Sequence, residues 1–285
     1  MYVSMKGMLA KANEEGYAVM AINAFNLESA GGIIHAATKM NSPIIVDLLQ
    51  DHVKSYFDCD VLTGPIIKMA QQTHVPVAIN LDHGSDVAHL KRCLHEGFSS
   101  VMIDASARPF GENVRITRSV VEFAQEFDAS VEAEVGNMGL VGDGTGFTES
   151  DMYTGPDVAI DFIDKTGVDA LAVSFGSTHG NYPEGYVPTF RFDIVERIKA
   201  ATGIPLVLHG GSGSGPKNIR RSVECGINKV NVGTDYMIAQ REFVSQALAE
   251  NPDYDYPELL HQSYLEGSKV IERYIELAGS VNKAF

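Results

Sequence analysis

Eight short apolar or β-branched runs, separated by segments of helical periodicity, predict an α/β protein: a single (β/α)8 TIM barrel spanning residues 1–285. Strands that alternate with helices must pair in parallel through crossovers. Eight such units in a chain of this length fit a closed barrel better than an open sheet. No linker, charge run or low-complexity stretch divides the chain, so one domain is expected.

The runs lie at 17–23, 43–49, 76–83, 100–106, 130–136, 170–176, 205–210 and 229–235. Each is too short for an independent helix, as buried parallel strands are. Between the third and fourth, residues 85–96 put Val87, Leu90 and Leu94 on one face, with Asp86, Lys91 and Arg92 elsewhere. Residues 113–127 repeat that amphipathic pattern, and both segments read as outer helices. Beyond the eighth run, 236–250 and 257–278 read as extra C-terminal helices parted by Asn251-Pro252-Asp253. Residues 137–152 carry Gly139, Gly142, Gly144 and Gly146 with little apolar content, the composition of a long loop over the active face.

Composition narrows the function classes. The chain is 45% apolar and 21% charged, ordinary for a soluble globular protein and unlike a disordered one. A formal charge of -15 disfavours nucleic acid and anionic membrane as partners, because both demand basic surface. Cys59, Cys93 and Cys225 are odd in number and form no CxxC pair, so packing roles in a reducing compartment are expected. No run is long enough to span a bilayer and the first residues lack a signal-peptide pattern, which together predict a cytoplasmic protein.

Barrel enzymes place their chemistry where strands end at the C-terminal face. Here those ends are polar. The third run closes on Asp82-His83-Gly84, the fourth holds Asp104, and the fifth holds Glu132 and Glu134. The sixth leads to His179-Gly180, the seventh to His209, and the eighth carries Asn231, Thr234 and Asp235. His83, His179 and His209 each precede a glycine at such an end, and three imidazoles with an open position suit a catalytic zinc. His52, after the second run, is an outside candidate. Asp82 reads either as an acid or base facing the cavity or as a cap for the helix near Ser85. Asp104 and Glu134 are carboxylates whose burial calls for a cation, as ligands or as partners that orient the histidines.

The loops after the seventh and eighth runs point to a second ligand. Gly210-Gly211-Ser212-Gly213 and Asn231-Val232-Gly233-Thr234 are rich in small donors, and barrels commonly bind phosphate between these two loops.

Across nearly the whole chain these motifs resemble the class II, zinc-dependent ketose-phosphate aldolases, the family of fructose-bisphosphate and tagatose-bisphosphate aldolases. Leu81-Asp82-His83-Gly84, Glu132-Ala133-Glu134-Val135-Gly136 and Leu208-His209-Gly210-Gly211-Ser212-Gly213 carry the resemblance in this order. It implies one Zn2+ per subunit on His83, His179 and His209, with Asp104 and Glu134 near a second metal position. It also implies reversible cleavage of a ketose phosphate between C3 and C4, giving dihydroxyacetone phosphate and an aldehyde. Asp82 then matches the residue that exchanges a proton with the C4 hydroxyl. Gly180, Gly210, Gly211, Ser212, Asn231, Gly233 and Thr234 match the phosphate surroundings, with a monovalent cation near them. Asn23 matches a substrate-contacting asparagine, and a homodimer or homotetramer is implied.

The chain also departs from the family pattern. Gly142 stands where an acidic loop residue is usual, which leaves the adjacent Asp143 as the substitute acid. The lysine common after the His-Gly pair is missing from Gly180-Asn181-Tyr182-Pro183-Glu184. No arginine between Leu259 and Glu272 serves a second phosphate. Leu49 replaces a small hydroxyl residue, and Ala105 and Ala107 replace Gly and His. These changes predict an aldehyde half without its own phosphate, or one whose phosphate is bound by residues outside the family pattern, so that the ketose is a 1-phosphate or a bisphosphate. They also leave open a non-catalytic or regulatory partner subunit that retains the zinc site.

Overall fold

The computed structural model describes residues 1–136, 153–178, 180, 182 and 186–284. Eight parallel strands close into a barrel in sequence order, with the first pairing the eighth. They are β1 (Val19–Asn23), β2 (Ile44–Leu49), β3 (Val77–Gly84), β4 (Ser100–Ile103), β5 (Ser130–Val135), β6 (Ala170–Val173), β7 (Leu206–Leu208) and β8 (Ile227–Val232). The predicted closed barrel is therefore what forms. Three helices surround the early strands: α1 (Met5–Glu15) precedes β1, α2 (Leu27–Lys39) follows it, and α3 (Gln50–Ser55) follows β2. The ring continues with α4 (Cys59–Gln72), α5 (Val87–His95), α6 (Phe110–Ala124), α7 (Pro156–Thr166), α8 (Phe192–Thr202) and α9 (Pro216–Glu224). The two expected C-terminal helices are α10 (Thr234–Glu250) and α11 (Tyr256–Ala278).

Strand parity sorts the side chains. Met20, Ile22, Ile44, Val46, Ile79, Leu81, Val101 and Ile103 face outward into one continuous core with the helices. The inward floor is apolar: Val19, Ala21, Ile45, Ala78, Ala172 and Val207 pack against Met5, Leu9 and Ala12 of α1. Helix α1 was not anticipated by the strand–helix alternation. Ser4 caps its start and Gly16, at φ 69°, ends it, so that it plugs the barrel's N-terminal mouth. Above the floor the interior turns polar, with Asp47, Asn80, Glu132 and Lys229 fully buried.

Strand boundaries differ from expectation at β4, β6 and β8, each of which stops three residues before its predicted end. The sequence pattern extends the eighth run to Asp235, whereas the strand ends at Val232 and Thr234 already opens α10. Gly233 stands between them as the helix N-cap, so Thr234 and Asp235 belong to a helix start rather than a strand end. Helix α5 is capped by Asp86, whose carboxylate accepts from the N–H groups of Ala88 and His89. That assignment removes the capping role considered for Asp82.

Cys59, Cys93 and Cys225 are all buried and free, consistent with packing. No helix among the described residues is long and apolar enough to cross a membrane.

Candidate active site

Asp82 and His83 are sequence neighbours on one strand, so regular pleating would send them to opposite faces. The backbone resolves this conflict. His83 adopts the left-handed region at φ 50°, and the β3–β4 register shifts between Leu81 and Gly84. Such a conformation costs a non-glycine residue about 1 kcal/mol. It turns His83 inward, where its Nε2 stands 2.9 Å from His209 Nδ1. Gly84 permits the irregularity, because a Cβ there would lie 2.7 Å from the Met102 carbonyl.

Each imidazole is anchored from behind. His83 Nδ1 pairs with Asp104 Oδ2 at 2.8 Å, and Ser106 donates its hydroxyl to the other oxygen of Asp104 at 2.7 Å. His209 Nε2 pairs with Glu132 Oε1 at 2.8 Å in full burial. Behind Glu132, Lys229 Nζ stands 2.9 Å from Oε2 and 3.5 Å from Asp47 Oδ2, as an ion pair without well-aligned hydrogen bonds. Asn80 in turn donates to Asp47 at 2.9 Å.

Asp82 is held differently. Asn23 donates to its Oδ2 at 2.8 Å and Asn231 to its Oδ1 at 3.2 Å. Burial favours the neutral acid, yet His83, His209 and Lys229 prevail and lower its pKa, so the carboxylate is ionised at neutral pH. Asp104 is likewise driven well below the usual carboxylate range, the His83 and Ser106 hydrogen bonds outweighing burial. Burial, with Asp104 adding repulsion, pushes Glu134 up to about 8. Burial opposes charge on His83, but Asp82, Asp104 and Glu134 together raise it to about 10.

The donor set fits a divalent cation. Ligand atoms of Asp82, His83 and His209 lie within 4.8 Å of one another, and so do those of His83, Asp104 and Glu134. Glu134 Oε2 is buried without a hydrogen-bond partner, 4.0 Å from His209 Nδ1. A cluster this acidic, facing imidazole nitrogens directed at each other, has the donor chemistry to hold a positive ion. His179, the third predicted ligand, and Asp143, the predicted loop acid, lie outside the described residues.

Asp82, His83 and His209 line a cavity of about 190 Å³ at the C-terminal mouth of the barrel. Of the predicted substrate-contacting residues, Asn23, Gly180, Gly210, Ser212, Asn231, Gly233 and Thr234 line it. Gly211 stands behind that wall, its N–H donating to the Asn231 carbonyl at 3.0 Å. The N–H of Gly213 is likewise engaged, by the Asp235 carboxylate at 3.2 Å. The glycine turn therefore does not present every N–H to a ligand as its composition suggested. Asp235 braces it, accepting also from Tyr274 at 2.6 Å and donating its own N–H to Ser212 Oγ at 3.2 Å. Gly233 must lack a side chain, since a Cβ would collide with Asn23 Oδ1.

Sequence reasoning missed Lys229 and Asp47. Lys229 shares the inward parity of Asn231, two residues on, and that signal could have found it.

Ionisable groups gathered at the C-terminal rim of a closed (β/α)8 barrel define a barrel enzyme. A family model described as fructose-bisphosphate aldolase class-II matches residues 3–283, and the chain belongs to that family of lyases. It is 38% identical over 296 residues to a fructose-bisphosphate aldolase of Staphylococcus epidermidis, covering 99% of each chain. It is 37% identical to the D-tagatose-1,6-bisphosphate aldolase subunit GatY of Klebsiella oxytoca, covering 97% of each. Among solved structures, the YdjI aldolase from Escherichia coli K12 superposes with a TM-score of 0.88 at 31% identity, covering 100% of both chains.

Proposed function

We propose that this protein is a zinc-dependent aldolase that reversibly cleaves a ketose phosphate to dihydroxyacetone phosphate and an aldehyde lacking its own phosphate. The observation that carries the reading is a buried Asp82 carboxyl, fixed by Asn23 and Asn231, beside the facing nitrogens of His83 and His209. His83, His209 and His179 would hold the zinc, with Asp104 and Glu134 as further or alternative ligands. A bound zinc ion supplies Lewis-acid polarisation of the substrate carbonyl.

The chain's own residues supply the proton traffic. In cleavage, Asp82 takes the proton of the C4 hydroxyl as the C3–C4 bond breaks and that hydroxyl becomes the aldehyde carbonyl. In condensation the same carboxyl returns the proton. The electron pair left on C3 is protonated by a second acid, for which Asp143 is the sequence candidate. Ser212, Gly233 and Thr234 offer backbone and hydroxyl donors to the donor phosphate at the start of α10, where the helix dipole favours an anion.

The missing second phosphate follows from charge. No Lys or Arg is among the described residues lining the cavity. Residues 137–152, 179, 181 and 183–185 contain none either. The reading takes residues 1–285 as one domain, acting in the cytoplasm as a homodimer or homotetramer with a monovalent cation beside the phosphate.

Proton exchange on dihydroxyacetone phosphate in heavy water, followed by NMR, tests the donor half without knowledge of the aldehyde. Exchange should require zinc and vanish in His209→Ala. Asp82→Ala should still exchange but lose C–C cleavage by about 100-fold or more. A zinc-loaded wild type that exchanges nothing would overturn the aldolase reading.

A further inference from the structure

Helix α3 begins where β2 ends, so its first turn stands at the same rim as Asp82 and His83. Gln50, only 4% exposed, ties that turn to the end of β3. Its Nε2 donates to Ser85 Oγ at 3.0 Å, and its Oε1 accepts the Asp86 N–H at 3.0 Å. One helical step on, His52 packs against Tyr56 with ring centroids 5.6 Å apart. His52 and Leu49 form part of the wall of the cavity that holds Asp82, His83 and His209. The Nδ1 of His52 is buried and has no hydrogen-bond partner. An imidazole nitrogen shut away unpaired is unfavourable, and a turn of the ring toward the cavity would let a ligand's polar group satisfy it.

We infer that His52 determines specificity for the aldehyde half of the substrate, pairing through Nδ1 with a hydroxyl of an uncharged polyhydroxy aldehyde. This rests on the aldolase reading above and extends it to the acceptor. The anion donors at Gly233 and Thr234 follow β8, and β1 separates β8 from β2 in the barrel, so the two walls meet different ends of a bound ketose. Lys54, the cation of α3, is committed to Asp86 at 2.9 Å. Recognition at this wall therefore uses a hydrogen bond beside the apolar Leu49, and no free charge.

The test compares zinc-loaded wild type, His52→Ala and His52→Asn in condensation of dihydroxyacetone phosphate with D-glyceraldehyde, L-glyceraldehyde, D-erythrose and propanal. Heavy-water exchange on dihydroxyacetone phosphate runs in parallel as a donor-half readout. In His52→Ala, kcat/KM for a hydroxylated aldehyde should fall about tenfold more than for propanal, and about tenfold relative to exchange. His52→Asn, whose amide reaches the position of Nδ1, should recover part of that loss. An equal fall for propanal and the hydroxylated aldehydes, a fall that merely tracks exchange, or no fall would each overturn the assignment. A wild-type preference for glyceraldehyde 3-phosphate that His52→Ala abolishes would overturn it too, making His52 a phosphate contact. A wild type without exchange removes the aldolase reading itself, whereas normal exchange with an unmoved aldehyde ratio sinks only the role of His52.

Discussion

At the scale of single residues, the site is a set of proton equilibria among buried carboxyls and imidazoles. His83 at about 10 and Glu134 at about 8 both carry protons at pH 7 in the metal-free protein. A metal ligand must shed its proton, so zinc uptake at pH 7 should release about one proton or more per ion. The sign follows directly: affinity rises with pH toward the His83 value and falls as acid reloads the imidazole. Calorimetric titration in buffers of different protonation enthalpy checks this, and a binding heat independent of buffer would contradict it. Lys229 belongs at this scale as well. Its ammonium stands between the Glu132 and Asp47 carboxyls, so the carboxyl that anchors His209 is buried beside a cation rather than alone.

At the scale of elements, strand ends and helix starts do the positioning. The irregular end of β3 brings two neighbouring side chains into one cavity, while Gly233 lets β8 turn into α10 against Asn23. Gly233→Ala should therefore displace Asn23 from Asp82 and lower kcat/KM about tenfold or more. Thermal unfolding distinguishes this from loss of fold, since the midpoint should move little if the effect is local. The elements were largely legible: alternation of short apolar runs with amphipathic segments located all eight strands. The fourth, sixth and eighth runs each extend three residues past the strand; at the eighth, Asn231-Val232-Gly233-Thr234 keeps strand-like side chains while Gly233 already caps a helix. The inward turn of His83 was not legible, because φ depends on packing against β4 that no local pattern contains.

For the whole molecule, closure of the barrel and the seating of the C-terminal helices depend on close contacts among distant segments. Tyr236 of α10 reaches through to α2, donating its hydroxyl to the Ser29 carbonyl at 3.0 Å. Gly267 of α11 allows this, as a Cβ there would lie 2.5 Å from the Tyr236 ring. Gly267→Ala should cost about 1–3 kcal/mol through overpacking, with activity per folded molecule retained. Denaturant unfolding read by fluorescence and circular dichroism checks the loss, and an unchanged midpoint would show that α11 can shift aside. The long-range character of these contacts explains why α1 escaped sequence reading: its short amphipathic face gains meaning only as a plug for a floor assembled from separate strands.

By itself, the sequence determined the barrel class, the positions of its strands and the residue types offered at their ends. Each of these depends on side-chain periodicity and local conformational preference, which neighbours along the chain specify. Only the tertiary structure decided which of those end groups meet. It set Asp82 between two asparagines, turned His83 toward His209, put Lys229 behind Glu132, and placed His52 on the cavity wall. Those relations join strands far apart in the chain, and burial and electrostatic compensation enforce them only once the barrel has closed.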